Sequence, residues 1–484
     1  MAANKIPTEI VIKILNNVQS SRDLHSSLLV NRIWCKVTIP ILWELPFGQD
    51  CSADNKQKLR KKALCIRTYI SCMDTQARTL LAQNGFYLLS SPPQATFDYP
   101  SFTHKFIINN LVYFLSKYSS KKSLSRQILF LEIFKLIMNR CKFVDSFKIT
   151  KVPMNKPLRY SDLIGSILKL PGVSKVFRKL ESFTSTIRRD LGLIGLYESL
   201  TLICDNILNM DLYFDSFPQD QLTKLISVQK RLENLSIVVG FYSQFPNSLF
   251  FEAIISQKET LKSLRLESVN FFHFKGNSAS IGQFISLQDL YIKNCSELYD
   301  SKYLFLASSF PHLISFRFIY SVYLYDEYPQ EFIVKILETA NENLKNICLD
   351  LFTGIAFDVF SAILIYCTKI TELSLRNLSF DQVLAIFNNN FNELRIFSFG
   401  CGEEVDANEL LCQMAENVPE SLETIEIKIR IFSADSFRKF IEGWCCKGGG
   451  GSKKIIVRRT SFLFELSEEH FKVTEEYGVD FKLM

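Results

Sequence analysis

A short pattern, apolar-x-x-apolar-x-apolar, returns again and again down the C-terminal half of this chain and restricts its fold more than any other feature. It occurs at Ile207-Met210-Leu212, Leu232-Leu235-Ile237, Leu261-Leu264-Leu266, Leu287-Leu290-Ile292 and Leu313-Phe316-Phe318. It continues at Leu344-Ile347-Leu349, Ile370-Leu373-Leu375, Leu394-Phe397-Phe399 and Leu422-Ile425-Ile427. The last two apolar places of each unit are two residues apart, which is the spacing of one face of a β-strand. Between units the spacing becomes helical: Phe332, Ile333, Ile336 and Leu337 share a face, as do Val359, Phe360, Ile363, Leu364 and Cys367, and then Val383, Leu384, Ile386 and Phe387. Successive starts lie from 24 residues apart (Ile370 to Leu394) to 31 (Leu313 to Leu344), and the longest step places an insertion near Tyr320 to Pro329. A strand and a helix cannot enclose a core alone. Stacked, such units form a curved α/β solenoid with a parallel inner sheet and outer helices.

These units resemble leucine-rich repeats of the longer, helix-containing class, over at least residues 207–430. Leu287-x-x-Leu290-x-Ile292-x-x-Cys295 is the best match and includes the cysteine of the full motif. Weaker units begin at Val144-Phe147-Ile149 and at Leu180-Phe183, where Ser185 takes the third core place. A last unit is expected as a helix from Ser436 to Cys445 and a strand at Ile455-Ile456-Val457. The run from Gly448 to Lys454 between them lacks the order of a phosphate-binding loop and reads as a flexible connection.

The first fifty residues follow a different rule. Ile6, Ile10 and Ile14 recur every four residues with Val11, Leu15 and Val18 beside them, which predicts an amphipathic helix opening at Pro7. Ser20, Ser21 and Asp23 can cap a second helix carrying Leu24, Leu28 and Leu29. Asn31 can cap a third, with Ile33, Trp34 and Val37, which Pro40 is expected to end. Ile6-Pro7-Thr8-Glu9-Ile10, Asp23-Leu24, Leu29 through Cys35 and Pro40-Ile41-Leu42-Trp43, in that order, resemble the F-box family, with Ile6 where the family usually has leucine. The resemblance implies a partner, the Skp-type adaptor of cullin–RING ubiquitin ligases, contacted through Pro7, Ile10, Ile14, Leu24, Leu28 and Leu29. Trp34 and Trp43 would hold the helices together. The expected organisation is an F-box over 1–48, a helical linker or degenerate first repeats over 49–140, and leucine-rich repeats over 141–484. Within the middle part Leu80-Leu81, Leu111 to Leu115 and Ile128 to Met138 read as helical.

Composition narrows the function. Hydrophobic residues make up 47% and charged residues 22%, as in a globular protein, and the 42 phenylalanines suit a long apolar core. A net charge of +6 over 484 residues is too mild for a dedicated nucleic-acid binder. The densest basic stretch, Lys56 to Arg67, reads as a solvated helix or loop. The 13 cysteines are irregularly spaced, which suits free thiols in a reducing compartment, with Cys35, Cys348 and Cys367 expected in apolar surroundings. No apolar run suggests a secretory signal or membrane span, so a cytoplasmic or nuclear protein is expected.

No chemistry-bearing motif appears. The histidines His25, His104, His273, His312 and His470 are scattered, and neither a G-x-S-x-G elbow nor a dinucleotide glycine fingerprint occurs. A non-catalytic receptor without cofactor or metal is the expectation, with a non-degradative interaction scaffold as the alternative. The residues between the repeat leucines would face the concave side of the sheet. They carry both charge signs, which fits a protein or peptide target better than nucleic acid. Arg265, Tyr291, Arg317, Glu372 and Arg376 are the candidate target contacts, since arginine and tyrosine are favoured anchors.

Overall fold

Every repeat strand expected from the pattern is present in the computed structural model. The structure describes residues 6–18, 20–48, 56–86, 95–118, 123–150, 167, 170–186, 192–214, 219–240, 248–271, 284–298, 310–320, 328–389, 391–402, 404–428, 432–447, 452–458 and 467–483. They divide into two compact units, Met1–Leu232 and Glu233–Met484. The expected insertion near Tyr320, the glycine run, His273 and the basic side chains from Lys56 to Lys62 lie largely or wholly outside the described residues.

The first unit opens with α1 (Thr8–Asn16), α2 (Ser21–Ser27) and α3 (Arg32–Trp43). Pro7 stands as the N-cap of α1, just outside the helix. The side chain of Ser20 caps α2, and Asn31 Oδ1 accepts from the N–H of Ile33 and of Trp34 at 2.9 and 3.0 Å. Pro40 does not end α3, as the sequence suggested. The helix runs on to Trp43 through it. The proline removes the hydrogen bond to the carbonyl of Lys36, and Lys36 is on the exposed side where water can serve instead. Val11, Leu15 and Leu24 form a small core, closed by Val18, Trp34, Val37, Ile41 and Leu42.

Helices Lys56–Ser71, Thr75–Gln83, Ile108–Tyr118 and Ser123–Arg140 follow. Four parallel strands complete the ladder of this unit: β1 (Lys105–Ile107), β2 (Ser146–Thr150), β3 (Ser182–Thr186) and β4 (Asn209–Phe214). β1 lies in the stretch expected to hold linker helices or degenerate first repeats. Phe106, Phe147 and Phe183 are in register and stack at 6.3 and 6.2 Å between centroids. Ser185, polar at a core place, is fully buried, and the Tyr197 hydroxyl donates to it at 3.0 Å.

The second unit contains β5 (Asn234–Val239), β6 (Ser263–Glu267), β7 (Asp289–Lys293), β8 (Ser315–Tyr320) and β9 (Asn346–Leu351). It continues with β10 (Glu372–Leu378), β11 (Ile396–Cys401), β12 (Thr424–Lys428), β13 (Lys454–Val457) and β14 (Asp480–Leu483). Each is parallel to the next. Helices Gln330–Ala340, Phe357–Tyr366 and Phe380–Asn388 bury most of the apolar faces expected of them, Leu364 and Leu384 being half-buried, and Ala407–Glu416 and Ala434–Lys447 bury apolar residues in the same way. Two buried columns run laterally, one of them through Leu264, Leu290, Phe316, Ile347, Leu373, Phe397 and Ile425. The helix Glu468–Glu476 and β14 add a further unit that the pattern did not reveal. The fold is therefore a leucine-rich-repeat α/β solenoid.

Most of the described strands begin alike. The N–H groups of Glu181 and Ser182 both donate to the carbonyl of Asp145, at 2.9 and 2.8 Å. Those of Gln288 and Asp289 donate to Lys262, and those of Thr371 and Glu372 to Lys345. The fork at β1 uses α3 instead of a strand: His104 and Lys105 donate to the carbonyl of Glu44 at 3.2 and 3.0 Å. No helix among the described residues is long and apolar enough to cross a membrane.

Tyr197→Phe should leave the Ser185 hydroxyl buried and unpaired, lowering stability by about 1–3 kcal/mol. Tyr197→Phe with Ser185→Ala should recover most of that loss, because both polar groups are then gone. Urea midpoints followed by circular dichroism test this; additive losses would mean the pair is not coupled.

Candidate functional site

Two surfaces are candidates, one in each unit. In the first, α1 carries two apolar stripes where the sequence suggested a single face. Val11 and Leu15 point into the small core, while Ile6, Ile10 and Ile14 point outward, Ile10 and Ile14 each 43% exposed. Residues one apart on a helix are about 100° apart, so the fold separates two adjacent rows. Leu29 and Val30, in the turn after α2, and Ile33 in α3 are also exposed, Leu29 by 87%. Pro7 is exposed and Leu28 half-buried. Leu24 is only 8% exposed and belongs to the core, so it supports the exposed rows from beneath. Trp34 packs in that core, and Trp43 meets Tyr99 and Tyr69 with ring centroids at 4.4 and 5.7 Å.

In the second unit the open face of the sheet carries the residues between the buried columns. Register places Arg265, Tyr291, Arg317, Cys348, Ser374, Ser398 and Glu426 side by side along one lateral row. Arg265, Tyr291 and Arg317 are thus brought together as neighbours. The Arg265 guanidinium lies 4.4 Å from the centre of the Tyr291 ring and 2.9 Å from Glu267. Lys293 shares that carboxylate at 2.7 Å. Burial pushes the Glu267 carboxyl up, but the hydrogen bonds from Lys293 and Arg265 outweigh it and hold the pKa below the ordinary value. Arg376 pairs with Asp350 at 2.7 Å. Glu372 is exposed on the leading row, apart from the arginines, in register with Asn346 and Ile396.

Cys348 was expected in apolar surroundings. It is half-buried on the open face beside Arg317, since its place in β9 alternates with the buried Ile347 and Leu349. Burial pushes its thiol up, so it stays protonated near neutral pH. Cys35 is likewise half-buried, whereas Cys367 is buried as expected.

A cleft of about 650 Å³ that the sequence did not suggest lies where β10, β11 and β12 begin. Glu372, Glu393, Arg395 and Glu423 line it, and several of these stand in the turns before strands, outside the alternating pattern. The hydrogen bond from Lys345, at 2.8 Å, holds the Glu393 carboxyl below its usual range.

The described histidines are far apart in role. His25 Nδ1 is 2.6 Å from the Ser21 carbonyl, His104 stacks on Phe143, His312 is exposed, and His470 is buried between Ser467 and the Phe432 carbonyl. Among the described residues, no three His, Cys, Asp or Glu side chains group as metal ligands.

No protein-family model matches the chain, and no curated protein matches it. Among solved structures, it is similar to a chain of the Rad7 and Elc1 complex from yeast, with 16% identity over 86% of this chain and 96% of that one and a TM-score of 0.40. It is also similar to the leucine-rich repeat-containing protein LegL7 from Legionella pneumophila, with 12% identity over 77% of this chain and 97% of that one and a TM-score of 0.30. The strand register and repeat spacing, not these superpositions, define the fold.

The lowered pKa of Glu267 fixes the sign of a pH effect. A carboxyl whose folded pKa lies below its unfolded value, about 4.3, contributes stability above that value and loses it as pH falls through the folded pKa. The urea midpoint of the wild type should therefore exceed that of Glu267→Gln by a constant amount near neutrality, and the gap should close as pH falls below about 4. A gap that widens in acid would contradict this assignment.

Proposed function

We propose that this chain is the substrate-recognition subunit of a cullin–RING ubiquitin ligase. The observation that carries the reading is the exposed aliphatic surface of the three-helix unit. Ile10, Ile14, Leu29 and their neighbours keep apolar surface in water, although covering it would gain about 1 kcal/mol at each isoleucine and about 2 kcal/mol at Leu29. A unit whose own core is only Val11, Leu15 and Leu24 with a few partly buried neighbours has little apolar surface to spare, and rows left outside suit a partner's groove.

The order of motifs from Ile6 to Trp43 resembles the F-box, which names that partner as the Skp-type adaptor. In this reading Pro7, Ile10, Ile14, Leu28 and Leu29 contact the adaptor, and Leu24 holds the two helices in place behind them. The repeats bind the target through the open sheet face. The chain itself performs no covalent step. It raises the local concentration of the target near the ubiquitin carrier, which makes transfer effectively intramolecular.

Retention of purified Skp-type adaptor by the full chain tests the proposal. Binding at micromolar concentration is expected. Ile10→Asp with Ile14→Asp should weaken it by about a hundredfold or more, the loss of two buried isoleucines. Both side chains are exposed, so the circular dichroism of the variant should match the wild type. An intact chain that does not retain the adaptor ends the ligase reading.

A further inference from the structure

On β6, β7 and β10 the cations of the open face are held by carboxylates, and on β8 between them one is not. Arg265 and Lys293 share Glu267, and Arg376 is held by Asp350. Arg317 stands between these groups on β8, exposed, and makes no ion pair among the described residues. Its neighbours in the row are Tyr291 on one side and Cys348 on the other. Neither is a carboxylate, and burial pushes the Cys348 thiol up, so that it stays protonated beside the guanidinium. Beyond Cys348 the row continues with Ser374 and Ser398, two short hydroxyl side chains at the strand spacing of about 4.8 Å. A ligand lying across the strands therefore meets a guanidinium beside an aromatic wall and then a shallow, hydrogen-bonding floor.

Resting on the reading of the repeats as the target-binding part, we infer that this face takes an unphosphorylated acidic peptide, one Asp or Glu side chain of which pairs with Arg317. The charge count selects the carboxylate. A guanidinium offers two parallel N–H donors that match one carboxylate. A phosphoryl group carries about −1.5 to −2 at neutral pH and three acceptor oxygens, and so calls for more than one free cation. The cations nearest to Arg317, namely Arg265, Lys293 and Arg376, are engaged, and Lys428 stands four strands away on β12. Asp289 and Glu372, on the leading row one strand to either side of Ser315 and Asn346, repel the extra charge.

Fluorescence polarisation with the full chain tests this, using three labelled peptide pools identical except for Glu, Gln or phosphoserine at one fixed position. The Glu pool should bind at least about tenfold more tightly than the Gln pool, and more tightly than the phosphoserine pool. Arg317→Gln should erase the Glu preference, and Arg317→Lys should keep part of it. If Arg317→Gln does not fold, the ratio in Arg317→Lys, compared with the wild type, decides. A wild type that retains no pool, a phosphoserine pool that binds best, or a Glu preference that survives Arg317→Gln overturns the inference. Adaptor retention measured on the same preparations keeps the two readings apart. Peptide binding without adaptor removes the ligase role alone, and adaptor binding without a Glu preference removes this inference alone.

Discussion

Two successive N–H groups converging on one carbonyl of the preceding turn is the contact on which the rest of the structure is built. It starts most of the described strands at a fixed place relative to the last, from Glu181 and Ser182 on Asp145 to Thr371 and Glu372 on Lys345. With the start fixed, the two-residue alternation of a strand assigns every side chain to a face. The buried columns and the open rows are then consequences of a backbone contact. An unpaired buried N–H costs about 1–3 kcal/mol, so slipping one strand by a residue penalises the backbone and turns leucines to water together.

What the amino-acid sequence disclosed and what it hid follow from this regularity. Strands whose units carry all three apolar places, such as Leu261-Leu264-Leu266, could be read directly. β1 could not, because it has only Lys105, Phe106 and Ile107 and begins against a helix. β14 escaped because Asp480 to Leu483 lacks a leading leucine and follows a charged helix with little apolar stripe. Ser185 broke the pattern locally, and only Tyr197, twelve residues away, explains it. In the first helices, sequence spacing could not separate Val11 and Leu15 from Ile10 and Ile14, since adjacent rows on a helix differ only by what packs against them. The same limit placed Leu24 among the exposed contacts when it is a core residue.

The open sheet face shows how lateral register makes electrostatics that no local reading contains. Lys293 meets Glu267 across strands that lie 26 residues apart, and Arg376 meets Asp350 over a similar separation. Each exposed pair contributes little to stability, about 0–1 kcal/mol. Their effect is selective: by occupying the carboxylates they determine which guanidinium remains available. Tyr291 adds a rigid aromatic wall that is already organised by Arg265.

The fork on the carbonyl of Glu44 ties the helices to the ladder without a hinge. Beside it, Lys105 pairs with Glu44 at 2.8 Å, and Trp43, Phe47, Tyr69 and Tyr99 interlock through their rings. To separate the end of α3 from β1 would cost both backbone hydrogen bonds and the ring contacts of Trp43 at once, so the last turn of the helices also serves as the first rung of the ladder.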